Sequence, residues 1–305
     1  MRVDRRRLLG WVLIALRYYV AIVMSIYGGF KVIDSQFPPI TFEQLSQPLG
    51  ALSPMGLLWA FMGHSTVYAM FVGAGESVGA FLLFFRRTTT AGALVLVAVL
   101  SNVVLLNYTF DVSVKEFSTG LLLATIVLVA SDAKRILAFL FNRAAPPADR
   151  PFDFRNQWII TSRRVLKPVV VVLATLGPLS ASAYLRYHVQ VRPPFFGVYE
   201  VREFRRNGSV VSTSDGARWR TFMVDRGPSA SVRFVADSMV GFTFSVDSAH
   251  RRLHFRERTR HANDVSMEYE VLADTVLRLR GVVIPDTIDV TLLRVRPERV
   301  FRLLR

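Results

Sequence analysis

The sequence predicts an α-helical membrane bundle of four helices plus a fifth span, followed by an all-β antiparallel barrel domain. Five long stretches of residues 1–185 carry almost no charge, whereas residues 186–305 alternate apolar and charged side chains. The chain is 51% hydrophobic with a mean hydropathy of +0.34, yet its net charge is +15. A nucleic-acid-binding protein would carry this charge without the hydrophobicity, and a soluble enzyme is rarely so apolar. The absence of cysteine excludes disulfide frameworks, cysteine-ligated metals and thiol catalysis.

Each apolar stretch is long enough, or nearly long enough, to cross a bilayer. A spanning helix needs about 20 mostly apolar residues. The alternative is a buried helix in a soluble core, but five such stretches within residues 1–185 favour membrane spans. The predicted spans are residues 11–30, 65–85, 88–110, 117–131 and 168–185.

The positions of the basic residues predict the topology. They concentrate in the N-terminal segment, at Arg86 and Arg87, and in residues 134–167, whereas the intervening loops hold few. Because basic loops stay in the cytoplasm, we expect a bacterial cytoplasmic (inner) membrane protein with a cytoplasmic N-terminus and an extracytoplasmic C-terminal domain. An N-terminal secretory or twin-arginine signal is the alternative, but no small-residue cleavage site follows. The predicted domains are a four-helix membrane domain (1–142), a cytoplasmic linker (143–164), a fifth transmembrane helix (165–187) and an exported β-barrel-like domain (188–305).

Two connections carry structural signals of their own. Residues 35–62 contain four prolines, which exclude one regular helix, and residues 41–45 predict a short helix at the outer surface. Residues 132–142 indicate an amphipathic continuation of the fourth span.

The C-terminal residues alternate with a period of two. Leu253 and Phe255 alternate with polar neighbours, and the same pattern recurs at 267–271 and 277–280. This period is typical of half-buried antiparallel strands. Turn signals such as Asn207–Gly208 recur at intervals of about ten residues, which predicts a barrel or a sandwich. All 21 basic residues in 186–305 are arginine, which we interpret as a solvated outer face.

Two charges lie inside predicted spans, where charges are expensive and usually functional. Arg17 lies ten positions past Arg7, and Glu76 lies ten positions before Arg86. Equal depths in neighbouring antiparallel helices predict an Arg17–Glu76 ion pair that faces the bundle interior. The pair has two interpretations, a device that only fixes helix register or a functional site.

Further polar residues predict an outward-facing pocket. Lys31 falls at the outer end of the first span, and Asn107, Asp111 and Lys115 lie at the outer end of spans three and four. The alternative for the two lysines is that they snorkel to the interface. The candidate ligand-binding residues are therefore Arg17, Lys31, Glu76, Asn102, Asn107, Asp111 and Lys115.

Other kinds of site are not indicated. His250 and His254 could share one strand face, but no third ligand has a fixed spacing, so no metal site is predicted. No Ser/His/Asp signature, phosphate-binding loop or nucleotide fingerprint occurs, and catalytic and cofactor-binding residues stay unassigned.

Several motifs within about residues 10–142 combine an intramembrane glutamate with a repeated layout of Gly, Arg-Thr and Asn. They are YGGFK at 27–31, ESVGAFLL at 76–83, RRTTTAGA at 86–93, and segments 102–107 and 111–118. Together these motifs resemble the DoxX-like family of small bacterial membrane proteins. The fifth span and the β part are additions to the usual four-helix form of that family.

The β part carries a second, weaker resemblance. Its opening FGVYEV at 196–201 is similar to the Gly-x-Trp opening of lipocalin-like barrels, with Tyr199 in place of tryptophan.

The DoxX-like resemblance implies a membrane subunit of quinone-linked thiosulfate oxidation or of a complex against oxidative stress. A quinone would itself supply the electron chemistry, because the chain has neither cysteine nor an evident haem-ligand pair. Whether the protein is an enzyme stays open, and no cofactor other than a quinone is implied.

Three hypotheses follow. The first is a quinone-linked redox or stress component that binds its ligand near Arg17 and Glu76. The second is a transport-assisting protein whose exported barrel captures an apolar ligand. The third is a structural or assembly partner without catalysis. The expected partners are the lipid bilayer and membrane or periplasmic proteins, and nucleic acid is not among them.

Overall fold

The chain forms a helical unit and a barrel unit. The computed structural model describes residues 5–144, 146, 157–258, 264–301 and 303, without the side chains of Arg6 and 157–163. The helical unit comprises Met1–Pro39 and Leu52–His188, and the barrel unit comprises Ile40–Ala51 and Val189–Arg305. The chain therefore enters the barrel unit twice, once from the connection after the first helix and once after the last helix of the bundle.

The helices of the helical unit begin where the sequence offers caps. Ser53 and Ser65 accept hydrogen bonds from backbone N–H groups of the first turns of α3 and α4, and Pro54 occupies the first turn of α3. The helices in chain order are α1 (Arg5–Val32), α2 (Phe42–Ser46), α3 (Pro54–His64), α4 (Thr66–Leu83), α5 (Thr89–Thr109), α6 (Lys115–Ala130), α7 (Ala133–Leu140) and α8 (Gln157–Tyr184), of which α2 belongs to the barrel unit.

Four helices in the described part of the chain are long and apolar enough to cross a membrane, as expected for a membrane protein. They lie within Arg7–Val32, Thr66–Leu83, Thr89–Thr109 and Arg164–Val189. The fourth predicted span, α6, has 16 residues. This corresponds to about 24 Å of helix, less than the hydrocarbon core of about 30 Å, so α6 crosses only where the bilayer thins around it.

The boundaries after α6 differ from the prediction. A turn at Ser131 and Asp132 ends α6, so α7 is a separate helix and does not continue the fourth span. The fifth apolar helix, α8, already begins at Gln157, inside the segment predicted as a cytoplasmic linker. Residue 145 and residues 147–156 of that predicted linker lie outside the described residues.

Glycines set the closest helix contacts of the bundle. A Cβ on Gly73 of α4 would lie 2.8 Å from the Val32 backbone nitrogen and 3.0 Å from the Gly28 carbonyl oxygen of α1. A Cβ on Gly92 of α5 would lie 2.7 Å from the Gly79 carbonyl oxygen of α4. Only residues without a side chain permit this backbone approach, which is common between membrane helices. The crossing at Gly73 places the last turn of α1 against the middle of α4.

The barrel unit is a closed antiparallel barrel of eight strands. Consecutive strands pair as neighbours, and β1 and β9 pair with each other to close the barrel, from Val198↔Val295 to Arg206↔Ile288. Closure leaves no free edge among these strands. The elements are β1 (Gly197–Arg206), the short added strand β2 (Ser209–Val210), β3 (Trp219–Val224), β4 (Ser229–Phe234), β5 (Met239–Asp247), β6 (Arg252–Glu257), β7 (Asp264–Ala273), β8 (Val276–Val283), β9 (Asp286–Val295) and the terminal helix α9 (Pro297–Val300).

The barrel interior is occupied by its own side chains. The period-two residues Leu253, Phe255, Met267, Leu277 and Leu279 are at most 6% exposed in the barrel core, which confirms the predicted strand pattern there. The prediction is wrong at the end of β7, where Val271 is 58% exposed. The five buried residues belong to one cluster of 15 buried apolar residues, and aromatic rings such as Phe222 and Phe255 meet edge to face at 6.1 Å. An interior filled in this way is a hydrophobic core rather than a ligand chamber.

Helix α2, from the proline-rich connection, packs on the outer face of the barrel. Phe42 is buried with Val198 and Met223, and Glu43 forms an ion pair with Arg258. A capping box at Thr41 starts the helix. The predicted short helix is therefore confirmed, but it is part of the barrel unit rather than a free helix at the membrane surface.

Asp225 connects α2 to the barrel through a buried carboxylate. Its Oδ1 accepts a hydrogen bond of 2.7 Å from the Phe42 backbone N–H, while its Oδ2 is buried without a hydrogen-bond partner among the described residues. Burial raises the pKa of Asp225 from 3.8 to about 6, although the N–H groups of Phe42 and Glu43 act in the opposite direction.

This raised pKa predicts a stability that falls as the pH rises. Between about pH 4 and 6 the folded chain holds a proton that the unfolded chain has released, so ionisation of Asp225 disfavours the folded state. The effect reaches at most about 3 kcal/mol above pH 6, at 1.36 kcal/mol per pKa unit. We expect Asp225→Asn to gain stability relative to the wild type as the pH rises through this window, measured by thermal unfolding of the detergent-purified chain.

Asp264 provides the matched control. It is exposed, and a hydrogen bond from Arg256 lowers its pKa below 3.8. Its stabilising contribution is therefore lost only as the pH falls below the window, and Asp264→Asn should show no trend between pH 4 and 6. If the difference in stability between Asp225→Asn and the wild type is also independent of pH in this window, the Asp225 carboxylate is not buried against α2.

Candidate ligand-binding cavity in the helical unit

A buried ion pair lies in the middle of the helical unit. Lys31 Nζ contacts Glu76 Oε1, and the two side chains are 6% and 1% exposed. The crossing of α1 and α4 at Gly28 and Gly73 brings the last turn of α1 to the level of Glu76, which lies ten residues into α4. Each of these buried charges stabilises the other, because either charge alone would be buried without a counter-charge, which strongly destabilises a protein.

The predicted Arg17–Glu76 ion pair is wrong. Arg17 Nη1 instead donates a hydrogen bond of 3.3 Å to Thr89 Oγ1, and its guanidinium lies 4.9 Å from the centre of the Tyr18 ring. The Tyr18 ring packs against Phe84, just after the end of α4. Arg17 is therefore at that end of the bundle, about 12 Å along the helix axis from Glu76.

The error has a geometric cause. Equal depths follow from sequence only if the helices begin at the same level, but α1 extends beyond α4 at one end and stops short of it at the other. Val32, the last residue of α1, lies beside Gly73, seven residues inside the start of α4. Lys31, rather than Arg17, thus comes opposite the glutamate.

The ion pair lines a cavity of about 570 Å³ whose wall is mainly apolar. Aromatic side chains from several elements contribute to the wall, and the polar groups are few. Glu76 Oε2 is buried and has no hydrogen-bond partner within the described part of the chain. The polar and aromatic lining residues are Tyr27, Lys31, Gln36, Phe37, Trp59, Tyr68, Phe71, Glu76, Asn102, Asn107, Phe117 and Ser118.

The cavity unites four of the seven predicted site residues. Lys31, Glu76, Asn102 and Asn107 line it, and the Asn107 amide donates a hydrogen bond of 2.9 Å to Ser118 Oγ. Lys31 is buried, so it does not snorkel to the interface.

The other three predicted residues do not line this cavity. Arg17 lies near the end of α4 described above, while Asp111 and Lys115 pair with each other one helical turn apart. The side chain of Asp111 is 76% exposed, and the hydrogen bond from Lys115 holds its pKa below the ordinary value. The predicted pocket of Lys31, Asn107, Asp111 and Lys115 therefore retains only its first two members, because an i,i+4 pair satisfies the others locally.

Several lining residues were not predicted from the sequence. Trp59 and Met62 come from α3, and Gln36 and Phe37 come from the chain just after α1. They lie in the proline-rich connection, where no period indicates an inward face. The only available signal is the serine-proline start of α3 followed by a nearly all-apolar helix, and it does not tell which face is buried.

A second, partly buried ion pair ties the chain just after α8 to the bundle. Asp34 accepts a hydrogen bond of 3.0 Å from Thr66 Oγ1 and lies 3.3 Å from Arg186 Nη2. Ser35 and Ser182 hydrogen-bond beside it through their hydroxyl groups. The end of α1, the start of α4 and the end of α8 are thus held together by polar contacts.

The chemistry of the cavity is that of a neutral polar site in an apolar wall. The ammonium and the carboxylate cancel in charge, so the pair does not favour an ion. The ammonium has donors to spare, and Glu76 Oε2 is an acceptor without a donor. A ligand with both an acceptor and a hydroxyl donor would satisfy both groups. No group of three or more His, Cys, Asp or Glu side chains that could hold a metal occurs among the residues that the structure describes.

Comparison with known proteins finds similarity to the uncharacterized protein YwoB of Bacillus subtilis (strain 168). The two sequences are 34% identical over 123 residues, which is 40% of this chain and 77% of YwoB. No family model matches the chain, and no solved structure matches it.

Proposed function

The chain belongs to the family of the Bacillus subtilis protein YwoB. From the apolar helices, the motif resemblance and the cavity, we propose that it is an integral membrane protein of the DoxX-like type whose helical unit binds a quinone-type ligand. In this proposal it serves as a membrane component of a quinone-linked redox or oxidative-stress system. The observation that carries the proposal is the Lys31–Glu76 pair, buried in an apolar cavity with a carboxylate oxygen that lacks a donor.

The size and lining of the cavity support a lipid-soluble ring compound. A volume of about 570 Å³ is within the usual range for small-molecule sites. Aromatic side chains such as Trp59, Phe71 and Phe117 offer faces for stacking. The ring head would meet Lys31 through an oxygen acceptor, and the quinone itself would carry any electrons.

The donor-free oxygen of Glu76 favours the reduced form of such a ligand. A hydroquinone hydroxyl can donate to Glu76 Oε2, whereas a quinone has only acceptors and leaves this oxygen unsatisfied. A site that is built to hydrogen-bond a hydroxyl discriminates strongly against an analogue without it. The protein would then bind hydroquinone more tightly than quinone.

The charge distribution and the chain path support the orientation that we propose. The basic residues around Arg86 and Lys134 favour a cytoplasmic location for that end of the bundle. The connection after α1 leaves the opposite end and contains α2, which belongs to the barrel unit. A barrel unit that includes part of this connection is consistent with an extracytoplasmic C-terminal domain in a bacterial inner membrane.

The two alternatives have less support. Capture of an apolar ligand by the barrel is disfavoured by an interior filled with aromatic and aliphatic side chains. A purely structural or assembly role with membrane or periplasmic proteins does not account for the open cavity around a buried ion pair.

Trp59 allows a direct test, because it lines the cavity. We expect decyl-hydroquinone to quench its fluorescence in the detergent-purified chain to saturation, with about tenfold tighter binding than decyl-benzoquinone. The Trp59→Phe variant supplies the background from the other tryptophans. The double variant Lys31→Met/Glu76→Leu removes both charges together and should lose the saturable quenching while it stays folded. Equal quenching of the double variant and the wild type would contradict the proposal.

A further inference from the structure

The cavity reaches the outer surface of the bundle on one side. Phe71 and Val78 of α4 both line the cavity and are exposed, at 74% and 54%. Asn102 of α5 likewise lines the cavity and is exposed. These residues lie within two helices that are long and apolar enough to span a membrane, so the surface that they share faces hydrocarbon in a bilayer.

The opening arises where α4 and α5 part. The two helices touch closely at Gly79 and Gly92, where the glycine Cα of one approaches the backbone of the other. Further along the pair, a Cβ on Gly75 would still lie 3.3 Å from Val99. From Gly75 towards the start of α4, the side chains of both helices that face each other line the cavity, and a window lies between them. The residues at this window are Tyr68, Phe71 and Val72 of α4 and Asn102, Val103 and Leu106 of α5.

Asn102 is a polar residue at a window that otherwise faces hydrocarbon. It lies seven residues before the end of α5, about 10 Å inside the helix, among apolar neighbours. The adjacent Ser101 satisfies its hydroxyl internally, with a hydrogen bond of 2.7 Å to the Val97 carbonyl. The side-chain amide of Asn102 makes no hydrogen bond to any residue that the structure describes. An amide in hydrocarbon without a partner is costly, so a polar partner from elsewhere is required.

We propose that ligands enter the cavity sideways from the bilayer, through the window between α4 and α5, and that the Asn102 amide binds a second polar group of the ligand there. The ligand is then a membrane-dissolved amphiphile with one polar group at the Lys31–Glu76 pair, another at Asn102 and an apolar tail that extends through the window. This inference rests on the proposed function, because it assigns the entry route and a specificity-determining residue to the same cavity.

The equilibrium test replaces Asn102 by leucine in the full chain, reconstituted in phosphatidylcholine vesicles. We expect decyl-hydroquinone to bind about fivefold more weakly, read from Trp59 quenching. The thermal midpoint should stay unchanged or rise, because an unpaired amide leaves the hydrocarbon. If N102L binds like the wild type while Lys31→Met/Glu76→Leu does not bind, the role of Asn102 is overturned and the proposed function stands. If neither N102L nor Lys31→Met/Glu76→Leu changes binding, the proposed quinone-binding function itself is overturned.

The kinetic test narrows the window. Val103→Phe enlarges a side chain at the window, and Leu105→Phe makes the same kind of change on the exposed face of α5, away from the cavity lining. We expect Val103→Phe to slow association of decyl-hydroquinone at least threefold and Leu105→Phe to leave the rate unchanged. Equal rates for the two variants would overturn lateral entry. A dimer that dissociates in N102L would overturn the ligand role, because a second copy would then be the partner of the amide.

Discussion

Replacement of Glu76 by glutamine is expected to destabilise the helical unit by about 3 to 5 kcal/mol, because it leaves the buried Lys31 ammonium without its counter-charge. Both side chains are at most 6% exposed, so water cannot take over the lost interaction. The measurement is the unfolding midpoint of the detergent-purified chain at pH 7. The hydroquinone-dependent quenching of Trp59 should be lost in the same variant.

A second substitution identifies the partner of Glu76. Lys31→Met in the Glu76→Gln background removes the stranded ammonium and should restore most of the lost stability. Arg17→Met in the same background should restore nothing, because the Arg17 guanidinium binds Thr89 and Tyr18 instead. Rescue by Arg17→Met but not by Lys31→Met would falsify the pairing that the structure shows.

Replacement of Gly73 by valine is expected to open the crossing of α1 and α4, with a loss of about 3 kcal/mol of stability. The added Cβ would meet two backbone atoms, Val32 N at 2.8 Å and the Gly28 carbonyl oxygen at 3.0 Å. Backbone atoms cannot rotate away as a side chain can, so the helices must separate. The unfolding midpoint should drop, and ligand binding should weaken as well, because the same crossing brings Lys31 to Glu76.

Gly120→Ala is the control for helix propensity. Gly120 lies in α6, and nothing lies within 4 Å of a Cβ built on it. Alanine there should be neutral or stabilise the protein by up to about 1 kcal/mol, through helix propensity alone. Similar losses in Gly73→Val and Gly120→Ala would indicate that close packing at Gly73 is not the cause.

The sequence predicted most of the architecture because burial leaves periodic traces. The apolar runs that end near Phe85 and Phe110 correspond to α4 and α5 almost residue for residue. The alternation around Leu253 and Leu279 identified strands whose inward residues form the barrel core. Asn102 and Asn107 are polar residues of the third predicted span, which is why they are among the predicted site residues, and both line the cavity.

The remaining features depend on how helices are offset along their axes. The sequence gives the number of residues between a side chain and the end of its own helix. It does not give the position of that end along a neighbouring helix. The glycine crossing places the end of α1 beside the middle of α4. Lys31, rather than Arg17, is therefore the partner of Glu76. Long-range contacts such as Phe42 with Asp225 and Trp59 with the cavity leave no local pattern to read.

By itself the sequence determined that this protein combines apolar helices with a β-barrel and that Glu76 needs a positive partner inside the bundle. Both conclusions follow from local physics, since the periods of 3.6 and 2 and the expense of a buried charge are properties of a segment and its surroundings. Only the tertiary structure decided that the partner is Lys31, that the cavity contains Trp59 and Asn102, and that α2 belongs to the barrel unit. These depend on the offset and separation of whole elements, which are set by contacts between residues far apart in the chain.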